Sequence, residues 1–268
     1  MAVDFEFKDS YDINDLISIV RVLRSPGGCP WDMEQTHESI KKNFIEETYE
    51  VVEAINKQDC DSLKEELGDV LLQVALHSQM EEEKGSFNFN DVANDIVKKL
   101  IIRHPHVFGD KCAEDTIQAL DNWDAVKLKT KGMKSQSESM IAVPREFPAL
   151  MRAQKIQHKA AKVGFDWNDT LDVTDKLDEE INELKTALSH NDKAEIEEEF
   201  GDVLFTCVNL SRFLDLDSEE ALTGATDKFV KRFTIVEKLA TEQGVDMKSA
   251  SLDVLNDLWD KAKEIFTD

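Results

Sequence analysis

Several things are scarce in this sequence, and each scarcity excludes something. Its four cysteines, Cys29, Cys60, Cys112 and Cys207, stand far apart with no CxxC pair. Neither a zinc site nor a redox motif is indicated, and isolated thiols fit a reducing cytoplasm. No apolar run approaches the ~20 residues of a membrane helix. The first residues, Met-Ala-Val-Asp-Phe-Glu-Phe-Lys-Asp, have neither the basic start nor the apolar stretch of a signal peptide. A cytoplasmic protein with no membrane partner is expected. Basic residues are few: 32 Lys and Arg stand against 56 Asp and Glu, a formal net charge of −24. Affinity for nucleic acid comes from clustered Lys and Arg, so no nucleic-acid partner is expected. Glycine-rich phosphate loops are missing too, with no GxxxxGK[ST] and no GxGxxG. An acidic protein that takes an anionic substrate needs a cation between the two.

Only five Pro and ten Gly punctuate the 268 residues, and strand-like alternation is rare. Glu, Lys, Leu and Ala abound, which favours helix. Apolar residues recur at helical spacing, as in Ile13, Leu16, Ile17 and Val20, and again in Leu177, Ile181 and Leu184. The fold class expected is all-α. Residues 129–148 break the pattern with Gly132, Ser135, Ser137, Ser139, Pro144 and Pro148, the composition of a loop or linker. One domain carrying a long loop is the alternative to two domains.

The chain repeats itself. Glu46-Glu47-Thr-Tyr-Glu50 is followed by Glu65-Glu66-Leu-Gly68-Asp69, and Glu179-Glu180-Ile-Asn-Glu183 by Glu198-Glu199-Phe-Gly201-Asp202. Fifteen residues separate Glu50 from Glu66, and fifteen separate Glu183 from Glu199. Lys99 and Arg103 are matched by Lys228 and Arg232, and Trp123-Asp124 with Lys127 by Trp259-Asp260 with Lys263. Matched order and spacing mark a duplicated module, roughly residues 12–128 and 149–266. The division expected is an N-terminal module over 1–130, a linker over 131–148, and a C-terminal module over 149–268.

Each module holds an EExxE motif and then an ExxD motif. Acidic residues three apart share a helix face, so Glu180 and Glu183 project together from one helix, and Glu199 and Asp202 from the next. Helices folded back antiparallel bring all four together. In so acidic a chain, such a run is ordinarily a solvated face. Three features argue otherwise. The residues after Asp202, Val203-Leu-Phe-Thr-Cys-Val-Asn-Leu210, are apolar nearly all round, as are those after Asp69, which is the mark of a buried helix. Gly68 and Gly201 fall inside these helices at a cost of about 1 kcal/mol each, which suggests close approach by another backbone. Finally, converging buried carboxylates need a metal or a partner. The ligand set is all oxygen, which suits Mg²⁺ with Mn²⁺ as a substitute, or Ca²⁺. A di-iron centre would want Glu-x-x-His instead.

Mg²⁺ also resolves the charge problem, since it bridges acidic ligands and a polyphosphate. Lys228 and Arg232, four apart on one helix face, and Lys263 are candidate phosphate contacts, with Trp259 beside the base or in the core. Other candidates are weaker. The Pro between His104 and His106 spoils their facing, and the second module has no such pair. Trp31 and its loose counterpart Trp167, in Gly164-Phe-Asp-Trp, are core residues or line a base pocket.

Together with Cys29-Pro-Trp-Asp32 and Arg103-His-Pro-His-Val-Phe108, the duplicated motifs closely resemble the MazG family of nucleoside triphosphate pyrophosphohydrolases, from about residue 13 to residue 266. The resemblance implies an all-α homodimer and Mg²⁺-dependent hydrolysis of NTPs and dNTPs, ATP included, to monophosphate and pyrophosphate. It places the metal on Glu180, Glu183, Glu199 and Asp202, and gives Glu179 the remaining acidic position. It also implies that the C-terminal module carries the catalysis, with Glu179, Glu180 and Glu199 as the catalytic group. Lys176, Lys228, Arg232, Trp259 and Lys263 match nucleotide contacts. Glu195 stands where the family can carry Lys. In the N-terminal module Glu47, Glu50, Glu66 and Asp69 form a second metal set, with Asn43 in place of Lys176. Two rival readings are a pyrophosphatase narrowed to deoxy or damaged nucleotides, and a regulatory binding protein with a degenerate site.

Overall fold

The computed structural model describes residues 5–109, 115, 123, 126 and 135–266. Every regular element among the described residues is a helix. The chain divides into two compact units, Met1–Lys127 and Leu128–Asp268.

In the first unit, α1 (Ile13–Leu23) starts at a capping box made by Asp12 and Asp15, and the short α2 (Pro30–Glu34) starts at a proline. The long pair α3 (His37–Lys57) and α4 (Cys60–Glu83) follows, then α5 (Phe89–Arg103) and α6 (Pro105–Phe108). Two residues join α3 to α4. Gln58 sits in the left-handed region at φ 55° and ends one helix, and the Asp59 carboxylate caps the next. A connection that short makes an antiparallel hairpin. The core is Val20, Ile40, Ala75, Leu76 and Met80, with Leu16, Leu72 and Phe89 packed on it. Arg21 and Arg24 tie α1 to the end of α4 through Glu82 and Glu83, both at 2.8 Å.

The second unit has α7 (Gln136–Ile141), α8 (Ala149–Ala161), α9 (Thr170–His190), α10 (Lys193–Phe213), α11 (Ser218–Glu242) and α12 (Leu252–Ile265). The α9–α10 hairpin repeats the solution of α3–α4, with Asn191 left-handed at φ 57° and Asp192 capping α10. A second pair, α11 and α12, closes over Val236, Ala240, Leu258 and Ala262.

Three sequence expectations need correction. The stretch read as a linker carries a helix, α7. Ser135 caps it, and it is stitched to α8 by Gln136 donating to the Lys159 carbonyl at 2.6 Å and by Lys159 to Ser139. The serines there act as caps and partners. Residues 131–134 of that stretch, with Asp124 and Lys127 of the first repeat, lie outside the described residues. Next, a Cβ built on Gly68 or on Gly201 would meet nothing within 4 Å, so among the described residues no other element's backbone approaches either. Last, the helices read as buried on every side are not. On α10, Phe200 is 54% and Leu204 44% exposed, while Thr206 and Val208 are buried. The apolar surplus of α10 forms an uncovered face.

Candidate active site

The α9–α10 hairpin delivers the acidic motifs to one place. Oxygens of Glu180, Glu199 and Asp202 all lie within 4.8 Å of one another. Glu180 is buried, Glu199 is half-buried and Asp202 is exposed. The fourth expected ligand, Glu183, falls outside that trio but shares a hydrogen bond with Glu180. Desolvation first, then neighbouring carboxylates, raises the Glu199 carboxyl above the ordinary range, and Glu183 shifts the same way. Acids crowded in this manner resist ionisation unless a cation joins them.

The chain supplies one such cation itself. Lys176, a turn before Glu180, places Nζ 2.7 Å from Glu179 and 2.9 Å from Glu180. The hydrogen bonds that Lys176 donates to Glu179 and Glu180 raise its pKa and so hold its charge. Glu179 stays largely exposed beside them. Glu195, in the position that departs from the resembled family, bonds His190 at 3.0 Å across the hairpin turn.

The first unit builds the same cluster without the lysine. Glu47, Glu66 and Asp69 lie within 4.8 Å of one another, all half-buried. Desolvation and the neighbouring acids, Glu50 among them, raise Glu47 and Glu66. Asn43 stands where the second unit has Lys176.

A cavity of about 620 Å³ opens in the second unit. Lys176, Glu180 and Asp202 belong to its wall, with the aromatic rings of Phe165, Trp167 and Phe205. Size and lining are those of a small-molecule site. The segment bearing Phe165 and Trp167 leaves α8 through Gly164, at φ 80°. It is pinned by Arg212, which donates to both oxygens of Asp166, one at 2.7 Å. The same guanidinium donates to Asn209 at 2.7 Å and lies 4.7 Å from the centre of the Phe213 ring. Arg212 holds the Asp166 carboxyl below the usual carboxylate range.

Lys228, Arg232, Trp259 and Lys263 stand elsewhere, on α11 and α12, and none lines the cavity. Trp259 packs against the α11–α12 core, its ring 5.2 Å from that of Phe229. Arg232 lies 5.4 Å from the Phe266 ring, Lys263 pairs with Asp260 at 2.6 Å, and Lys228 is exposed. His104 spends Nδ1 on the Leu100 carbonyl at 2.7 Å, and neither it nor His106 joins a metal-type cluster among the described residues. Sequence reading missed Gln157, Asn209 and the Arg212–Asp166 pair. The available signal was polar residues inside otherwise apolar helices, which the acidic motifs overshadowed.

Comparison with known proteins adds an independent finding. The MazG nucleotide pyrophosphohydrolase domain matches this chain twice, over residues 35–108 and 169–236. The chain is 48% identical over 249 residues to the nucleoside triphosphate pyrophosphohydrolase/pyrophosphatase MazG of Thermotoga maritima, covering 93% of this chain and 94% of that one. It is 44% identical over 254 residues to the nucleoside triphosphate pyrophosphohydrolase of Escherichia coli K12, covering 94% and 97%. It is also 47% identical to YabN of Bacillus subtilis, an uncharacterized protein, of which it spans 52%.

Proposed function

The chain belongs to the MazG nucleotide pyrophosphohydrolase family, and from that premise we propose that it hydrolyses nucleoside triphosphates between the α and β phosphates in a Mg²⁺-dependent reaction. The observation that carries the placement is one arrangement in the second unit. Three carboxylate oxygens converge within 4.8 Å, and two of their residues, Glu180 and Asp202, line a cavity together with Lys176. The donor set is all oxygen, and Glu199 and Glu183 are pushed toward protonation, both of which fit a hard divalent cation, with Mn²⁺ as a substitute. When bound, Mg²⁺ supplies charge neutralisation to the phosphates and polarises a water.

The chain's residues divide the remaining work. Glu180, Glu199 and Asp202 hold the metal, and Glu183 completes the set from one turn away. Lys176 pairs with Glu179 and Glu180, and Glu179, the exposed member, takes the proton of the attacking water. The cavity takes the nucleoside, Trp167 being part of its wall. Lys228, Arg232 and Lys263 bind phosphate oxygens, with Trp259 beside the nucleotide, and they do so from a second copy of the chain. That reading is supported by their absence from the cavity wall and by the uncovered apolar faces of α10 and α11, where Phe229 is 55% exposed. We assign the working protein as a homodimer. The scattered thiols support a cytoplasmic setting, and among the described residues no helix is long and apolar enough to cross a membrane.

The test is pyrophosphate release from NTPs and dNTPs, with Mg²⁺ and with EDTA. Glu199→Gln should lower kcat by about 10²-fold or more, since it removes a metal ligand, with far-UV circular dichroism unchanged. Release of orthophosphate in place of pyrophosphate would overturn the bond assignment. An unchanged rate in Glu199→Gln would overturn the site.

A further inference from the structure

The cavity wall contains a buried amide whose hydrogen-bonding capacity is half used. Gln157, on α8, is 6% exposed. Its Nε2 donates to the Phe205 carbonyl on α10 at 2.8 Å, and this fixes which way the amide points. Its Oε1 is buried and meets no donor among the described residues. Buried acceptors are nearly always met, and one that is not asks for a partner from outside the chain. Asn209, also in the wall, accepts from Arg212 through Oδ1, which leaves the side-chain NH₂ as a donor. Both amides thus belong to the wall of a chamber with aromatic sides, one with an unmet acceptor and one with an unspent donor.

We propose that Gln157 is a specificity residue, whose Oε1 accepts a hydrogen bond from the exocyclic amino group of the substrate base. The inference rests on the placement of the nucleoside in this cavity. Phosphate oxygens carry no N–H and would be repelled by a carbonyl oxygen. A planar base suits walls formed by Phe165, Trp167 and Phe205. An amino N–H beside a ring nitrogen, as in adenine or cytosine, matches one amide acceptor and one amide donor, the pattern by which Asn and Gln read adenine elsewhere. A site built on such a bond rejects the analogue that lacks it, because the protein's polar atom is then left unmet.

The experiment compares kcat/KM for substrate pairs that differ only in that amino group. The pairs are ATP against purine riboside triphosphate, and CTP against the pyrimidin-2-one riboside triphosphate. Wild type should prefer the amino member of at least one pair by about tenfold or more. In Gln157→Met, of similar volume, and in Gln157→Asn, whose amide is drawn back by one methylene, the ratio should fall to within about twofold. Each ratio is taken within one variant, so partial loss of folded protein cancels. Flat ratios in wild type for both pairs would overturn the assignment, even if neither variant folds. Full discrimination kept by Gln157→Met would overturn it too. A preference for ATP over dATP lost in Gln157→Met would give Oε1 to a ribose hydroxyl instead. Pyrophosphate release from unmodified ATP by wild type reports separately on the parent reading. Its failure would sink that reading, whereas flat ratios with normal release would sink only the role of Gln157.

Discussion

Individual side chains decide how the site is held together, and Arg212 is the clearest case. It is 10% exposed and clamps Asp166 with both arms, so the segment carrying Phe165 and Trp167 is anchored to α10 by one guanidinium. Charge-assisted hydrogen bonds of this kind contribute about 1.5–3 kcal/mol. Arg212→Met should therefore lower Tm by several degrees. Its pH signature follows from the depressed Asp166 carboxyl. A depressed acid adds stability above its unfolded pKa and loses it as pH falls through the folded one. The gap in Tm between wild type and Arg212→Met should be widest near neutral pH. It should narrow as pH drops below the ordinary Asp range near ~4. A gap that is constant with pH would show that the pair contributes through packing alone. None of this was legible in the sequence, because Asp166 and Arg212 are 46 residues apart and neither repeats in the first unit. The acidic motifs were legible because their spacing is local: residues three apart on a helix must share a face whatever the tertiary structure.

At the scale of elements, the hairpins were readable and their surroundings were not. The fifteen residues between the motifs leave room for one turn, and the chain makes it with Gln58-Asp59 and Asn191-Asp192, a left-handed residue and then a capping acid. The glycines misled, since a helical Gly suggests crowding and the space beside both is open. Gly201→Ala should then gain helix propensity with no clash, about 1 kcal/mol, and Tm should rise by roughly 2–4 °C. A fall instead would place another backbone against α10. Among the described residues no other element comes within 4 Å of that position, so a second copy would be the source to test. The apolar run of α10 misled in a related way. Periodicity says which residues avoid water, but not whether the cover comes from the same chain. Phe200 and Leu204 stay exposed although their periodicity marks them as apolar face.

For the whole molecule, the repeat poses the question of which cluster works and with what help. Both units gather three carboxylates, and among the described residues only the second pairs a lysine with them, Lys176 where the first has Asn43. Glu66→Gln should accordingly leave pyrophosphate release within about threefold of wild type while Glu199→Gln abolishes it, the difference being the phosphate-side chemistry that charged groups supply. The homodimer can be tested by complementation. Take Lys228→Ala and Glu199→Gln, each inactive alone. If each site joins the carboxylates of one copy to the α11 cations of the other, a mixed dimer holds one site with both defects and one with neither. Random assortment makes half of the dimers mixed, and half of their sites are intact, so unfolding and refolding the two variants together should restore about a quarter of wild-type activity in a closed two-fold dimer. If the site is complete within one chain, every site in the mixture carries a defect and nothing is restored. Recovery near a quarter would also explain why Lys228 and Arg232 repeat with the carboxylates yet stand apart from them: the duplication kept together two halves of a site that meet only between copies.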